Sequence, residues 1–417
     1  MKRLSKNRKL VGFITILIVT IIIAVIITTS VIKNNNQVAS DGYSATTANE
    51  GSSLISNYIL NGITIGGITG KMEVLDTSDA TATPEDILWG KTGYVKGKKI
   101  TGTRIETVAQ GKEAKCTFEK DITLIDDLEN QVRIPEGFKI AEDSATVVED
   151  GIVIEDLVGN QFVWIPAKTE DKGGATINLS SGGTAKIVYQ RTDFGKQYGS
   201  YSDYSETMPS DEEASVNAWG GYYIGRFEAG DKESTEAKTM RAEEANQENT
   251  ITIKKDQVPY NYITQANART KAEGMDEAQQ YATATTKLVS SYAWDTAISF
   301  IQIKNSDYGT NSPEGNYKNT TFPYTDITEA SQKKNNNSST LVPTGQTTAV
   351  SNIYDMGGNL YEYTTESYSY EGNPCVSRGG YYGNSYDRNP AGYRGSDIGN
   401  ARSNFGFRVT LYCSTES

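Results

Sequence analysis

Residues 378–408 read RGGYYGNSYDRNPAGYRGSDIGNARSNFGFR. Between Gly379 and Asn404, 17 of 26 residues are Gly, Tyr, Asn or Ser, and Ile398 is the single branched aliphatic. Such a segment cannot build a core of its own, so flanking strands must hold it. The same palette serves antibody loops: Tyr gives rigid amphipathic contact area at low entropy cost, while Ser, Gly and Asn give adaptable hydrogen bonds. The candidate recognition face is Tyr381, Tyr382, Asn384, Tyr386, Asp387, Asn389, Tyr393, Arg394, Ser396, Asp397, Asn400 and Asn404. The plainer alternative is a Gly/Tyr-rich loop without a partner, but that much exposed Tyr has little stabilising purpose. Arg378, Gly379, Gly380, Gly406, Phe407 and Arg408 at its borders read as framework. The glycines permit close backbone approach or positive φ, and the arginines suit buried carboxylates or carbonyls.

Working outward, Gln161 to Pro166 (QFVWIP) reads as a short apolar strand stopped by proline. Trp219 to Glu228 (WGGYYIGRFE) reads as a half-buried strand. A helix is expected from Thr264, a fitting N-cap for QANARTKAEGMDEAQQYA. A second carries Trp294, Ala297, Ile298 and Ile301 on one face. Lys333 to Ser339 (KKNNNSS) reads as a polar loop.

These segments, followed by Asp355–Tyr363 (DMGGNLYEY), Arg378-Gly379-Gly380 and Gly406-Phe407-Arg408-Val409, come in an order that resembles the formylglycine-generating-enzyme (sulfatase-modifying factor) type of C-type lectin fold. The resemblance covers about residues 150–413 and implies an α+β, C-type-lectin-like head. It also implies a choice of activity. Enzymes of the family hold copper on two cysteine thiolates just after the Gly-Gly, and counting on from Gly380 puts Asn384 and Asn389 there. Soft thiolates suit Cu(I), and an amide does not replace them. Iron-dependent relatives need histidine ligands, and the chain has no histidine. What remains resembles the variable proteins of diversity-generating retroelements, whose C-terminal end is rewritten at adenine-rich codons on a fixed lectin scaffold. Asp355, Gly358, Leu360 and Glu362 resemble a family calcium site, as two carboxylates and two backbone carbonyls would be hard-oxygen ligands. The alternative is a structural turn in which Glu362 binds backbone N–H groups. No cofactor beyond that possible structural calcium is expected. The Glu-Pro-Asn, Gln-Pro-Asp and Trp-Asn-Asp tripeptides of sugar-binding lectins are absent. Cys375 and Cys413 flank strands that should lie side by side in this fold; a bridge and free thiols stay equally open, and Cys116 is left over.

Composition sets the outer bounds. Without histidine, imidazole zinc sites and Ser-His or Cys-His nucleophile pairs are excluded. The net charge of −12 argues against nucleic acid as a partner. Lys2, Arg3, Lys6, Arg8 and Lys9 precede an uncharged apolar run, 11–32. Its length would span roughly 33 Å as a helix, enough for a hydrocarbon core. The expected organisation is a cytoplasmic basic tail (1–10), a transmembrane helix (11–32), a flexible stalk (33–57), a small β-rich repeat-like module (58–112) and the lectin-like domain (113–417). The module holds an echo, GITGK at 67–71 and KITGT at 99–103, suited to short strands. A cleaved signal peptide and a pilin-like leader before Phe13 are alternatives for the N-terminus. The expectation is thus a single-pass cell-membrane protein with an extracellular, non-catalytic head binding a protein or glycan. The alternatives are an enzyme of the same fold lacking the copper cysteines, and a pilin-like filament subunit.

Overall fold

The computed structural model describes residues 59, 61–65, 67–72, 76–234, 241 and 248–415. The basic tail, apolar run and stalk lie outside the described residues. Among the described residues no helix is long and apolar enough to cross a membrane. The expected single-pass localisation is corrected accordingly.

The described residues divide into two compact units, those up to 81 with 94–99, and 82–93 with those from 100 onward. In the first, Thr64–Ile65 pairs antiparallel with Ile68–Thr69. The second copy of the echo also falls on a strand, Lys98–Thr101.

In the second unit the elements that position the site are β1 (Lys139–Ile140), β2 (Val153–Glu155), β3 (Gln161–Pro166), β4 (Tyr204–Ser205), α1 (Ser210–Trp219), β5 (Gly221–Gly225), α2 (Gln265–Glu273), β6 (Ala284–Leu288), α3 (Ser291–Ile301), β7 (Tyr361–Tyr368), β8 (Cys375–Arg378), β9 (Arg394–Asp397), β10 (Phe405–Phe407) and β11 (Val409–Cys413). A six-stranded antiparallel sheet runs β6-β11-β5-β3-β2-β1. A five-stranded sheet runs β4-β7-β8-β9, with β10 joining β7 in parallel. Mixed helix and strand around two sheets is the α+β, C-type-lectin-like arrangement that the sequence resembles.

The central strands of the larger sheet, β3, β5 and β11, are buried on both faces, which explains their continuous apolar runs. Every residue of β5 and β11 is buried, as are Phe162 to Pro166 of β3. The strand expected to be half-buried at 219–228 is therefore a central one, and Trp219 ends α1 instead. Trp294, Ala297, Ile298 and Ile301 of α3 are all fully buried. Thr264 caps α2 by accepting from the Asn267 amide at 3.2 Å. The single helix expected there breaks at Gly274 into α2 and a short turn of helix, Met275–Gln279.

Three hairpins share one turn chemistry. Asp126, Asp156 and Asp326 each end a strand and accept from backbone amides two and four residues on, at 2.7–3.1 Å. The residue three on, Glu129, Gly159 or Glu329, has φ of 65°, 92° or 62°. An aspartate that replaces backbone partners in this way fixes loop length and hence register.

Candidate ligand-binding site

Strands β8 and β9 pair so that Arg378 stands opposite Arg394. The loop 379–393 leaves from one arginine and returns to the other. Both guanidiniums are fully buried. Arg378 donates to Asp295 of α3 at 2.5 Å. Arg394 donates to the other Asp295 oxygen, to Glu366 of β7 through Nε at 3.2 Å, and to the Thr192 carbonyl at 2.9 Å. Arg191 pairs with the same Glu366. Buried charges survive only when paired and hydrogen-bonded, so this cluster fixes where the loop begins and ends. Arg378 reaches further, donating to the backbone carbonyls of Tyr393 (3.1 Å) and Gly392 (3.3 Å).

The Gly-Gly pair starts the loop for a steric reason. Gly379 has φ +70°, and a Cβ there would lie 2.7 Å from the Met356 carbonyl; at Gly380 it would lie 2.3 Å from that of Asn389. No larger residue fits without moving backbone. Tight turns follow, with Asn384 N–H on the Tyr381 carbonyl (2.8 Å) and Asn389 N–H on that of Ser385 (3.0 Å).

Rings gather where the loop crosses β7. Tyr361 lies 5.1 Å from Tyr381, 6.2 Å from Tyr393 and 5.3 Å from Phe405, and Tyr381 meets Tyr382 edge-on at 5.2 Å. Tyr317 meets Tyr386 at 6.2 Å. Burial raises the hydroxyl pKa of Tyr361, Tyr382 and Tyr393, so each presents a neutral O–H. Rings in such contact hold one another's orientation while their rims stay wet.

Of the twelve residues read from the sequence, Tyr381, Tyr382, Asn384, Tyr386, Asn389, Tyr393, Ser396 and Asn404 are half-buried, while Asp387 and Asn400 are exposed. Arg394 and Asp397 are buried and belong to the frame. Asp397 accepts from Gly399 N–H at 2.8 Å and from the Tyr363 hydroxyl at 3.2 Å, and pairs with Arg402 at 2.8 Å. Tyr361, which the sequence offers only as part of the DMGGNLYEY segment, and Tyr317 join the cluster from elsewhere in the chain, and nothing local marks the loop they meet.

Asn384 and Asn389 occupy the positions where the resemblance places copper thiolates. Asn384 Oδ1 accepts from Tyr381 N–H at 3.1 Å, and Asn389 Nδ2 donates to the Tyr361 hydroxyl at 3.2 Å. The three cysteines are free thiols, Cys375 on β8 and Cys413 on β11 in different sheets.

Asp355 and Glu362 do lie near each other, but their donor atoms are taken. Arg408 grips both Glu362 oxygens, at 2.7 and 2.9 Å. Asp355 accepts from Gly345 N–H at 2.6 Å and from Thr347 at 3.2 Å. Burial pushes Asp355 up to about 6, and Glu362 up to about 7 despite Arg408. With Arg408 on both Glu362 oxygens and Gly345 and Thr347 on the Asp355 carboxylate, the set does not fit calcium ligation by Asp355, Gly358, Leu360 and Glu362.

Comparison with known proteins follows the same line. The model of the family "Sulfatase-modifying factor enzyme 1-like domain" matches residues 241–412. No curated protein matches the chain. Among solved structures, CarF is similar at 15% identity over 46% of this chain and 87% of its own, with a TM-score of 0.32. Treponema denticola variable protein 1 is similar at 14% identity over 61% of this chain and 96% of its own, with a TM-score of 0.28. Such low scores carry no weight, and the assignment rests on the family match. The resemblance read from the GNLYEY, RGG and GFRV segments thus holds, and residues 241–412 match the sulfatase-modifying factor enzyme 1-like domain family.

Proposed function

We propose that the protein is a non-catalytic ligand binder that recognises a protein or glycan through the Tyr/Asn/Ser-rich face of its 379–404 segment. One observation carries the reading: a half-exposed Tyr cluster sits on a loop whose two ends are fixed by the buried Arg378 and Arg394. Fixing a loop in advance lowers the entropy cost of binding.

The grip on the loop also supports diversification of this segment. Much of it falls on backbone atoms: Arg378 on the carbonyls of Gly392 and Tyr393, Lys318 N–H on that of Asn384 (2.7 Å), and Tyr382 N–H on that of Asn359 (3.0 Å). Side chains can then change while the loop path stays. A reverse transcriptase gene beside a near-copy of the 3′ end, differing at adenines, is the expected genomic setting. The copper chemistry of the enzymes has no thiolate at 384 or 389 to support it.

Selection from a displayed library of random 15-residue peptides, run beside a glycan array, tests the reading. The wild-type chain is expected to enrich a defined set, and the Y381A/Y386A/Y393A variant to enrich none at unchanged Tm. Equal enrichment by both proteins, or none by either, overturns it.

A further inference from the structure

Lys334 ends an antiparallel hairpin, Phe322–Thr325 with Ser331–Lys334, that lies outside both large sheets. Only 2% of its surface is exposed. Its ammonium is held by backbone carbonyls: it donates to that of Tyr317, to that of Thr320 at 2.8 Å and, more weakly, to that of Lys318 at 3.5 Å. A lysine ammonium has three N–H donors and no acceptor, which suits a cup of three carbonyl oxygens. Burial lowers its pKa to about 8, so the ammonium is still the main form at neutral pH.

Residues 317–320 form a tight turn. Thr320 N–H donates to the Tyr317 carbonyl at 3.1 Å, and the Thr320 hydroxyl lies 3.1 Å both from the Tyr317 amide that it accepts and from the Gly315 carbonyl. Buried carbonyls that converge on one point need a donor or a cation between them. Lys334 supplies both, and Asn337, just beyond the hairpin, adds its N–H on the Lys318 carbonyl at 2.8 Å.

The same turn grips the recognition loop. Lys318 N–H donates to the Asn384 carbonyl at 2.7 Å, and Asn319 Oδ1 accepts from Tyr386 N–H at 3.2 Å. Both bonds end on loop backbone, so they persist whichever side chains stand at 384–386. Resting on the proposed binding function, we infer that Lys334 is a positioning residue of the recognition face. Its ammonium is a tethered cation that sets the 317–320 turn and, through it, the path of the loop at 384–386. A loop set in this way meets a partner with less ordering to do.

The test replaces the lysine and reads the turn and the binding separately. In unliganded K334A the Lys318 and Tyr386 amides should exchange at least about tenfold faster than in wild type. Propylammonium, which reproduces the removed atoms, should restore protection, whereas tetramethylammonium at equal concentration, with no N–H, should not. K334M keeps the stem and loses the donors, so its amides should exchange fast with or without propylammonium. For a library-selected peptide, K334A should raise Kd by roughly tenfold, and propylammonium should reverse the loss. Wild-type exchange at these amides in K334M overturns the positioning role whether or not any peptide binds. Equal effects of the two ammonium ions on K334A overturn the tethered cation. Faster exchange with an unchanged Kd overturns the role in recognition and leaves the binding function standing. A wild-type chain that enriches neither peptide nor glycan defeats the binding function, and with it the role of Lys334 in recognition, while the exchange rates still decide what the lysine does for the turn.

Discussion

Asp295 receives two arginines and the Thr192 amide, the last at 2.9 Å, inside a fully buried cluster. Replacing it by Ala strands two guanidiniums, so D295A should lose about 3–5 kcal/mol of stability, read from urea unfolding. Glu212 gives a pH signature. It is buried beneath the hydroxyls of Tyr189 (2.5 Å) and Ser290 (2.8 Å), and burial pushes its pKa up to about 7 from an ordinary 4.5. Between those values the folded protein holds a proton that the unfolded chain releases, so stability falls as pH rises from 4.5 to 7. E212Q should flatten this part of the profile, and an unchanged slope would refute the assignment. At this scale the sequence was only partly legible. Its Tyr and Asn positions fall on the half-exposed loop, but Arg394 looked like a contact residue. Its partners Glu366 and Asp295 lie 28 and 99 residues away, and no local pattern pairs them.

Elements turn on a few positions of the same kind. G379A forces an L-residue to φ +70° against the Met356 carbonyl, and should cost about 1–3 kcal/mol while raising amide exchange across 380–393. Little change in that exchange would show that the loop start is not steric in origin. Strands β3 and β5 and the cap of α2 were readable because composition alone dictates them: an apolar run stopped by proline, another between glycines, and a threonine before a helical stretch. Helix α1 was not, since SDEEASVNAW follows Pro209 and shows no apolar period. The run KKNNNSS reads as solvated loop, yet Lys334 ends a strand and is buried on carbonyls supplied by residues 317–320. A polar run cannot announce that one of its lysines has found a backbone cage.

Over the whole molecule the fold and the chemistry separate. The lectin-like architecture follows from motifs spread over 160–409, whereas the copper chemistry that the resemblance would imply needs thiolates where Asn384 and Asn389 stand. With Cu(I), oxygen and a cysteine-containing sulfatase-type peptide, the purified chain should form no aldehyde by mass spectrometry. Calcium should leave Tm where it was, because Arg408 already fills the Glu362 carboxylate. A calcium-dependent rise of several degrees would show that Arg408 yields to the ion. The central claim is that half-exposed tyrosines on a preset loop bind a partner, and calorimetric titration of one library-selected peptide tests it most directly. Y381A/Y386A/Y393A should weaken binding at least about hundredfold, near 2.7 kcal/mol, at a Tm within a few degrees of wild type. An equal Kd for the two proteins, or a variant that no longer folds, would contradict the account by placing those rings outside the contact or inside the core.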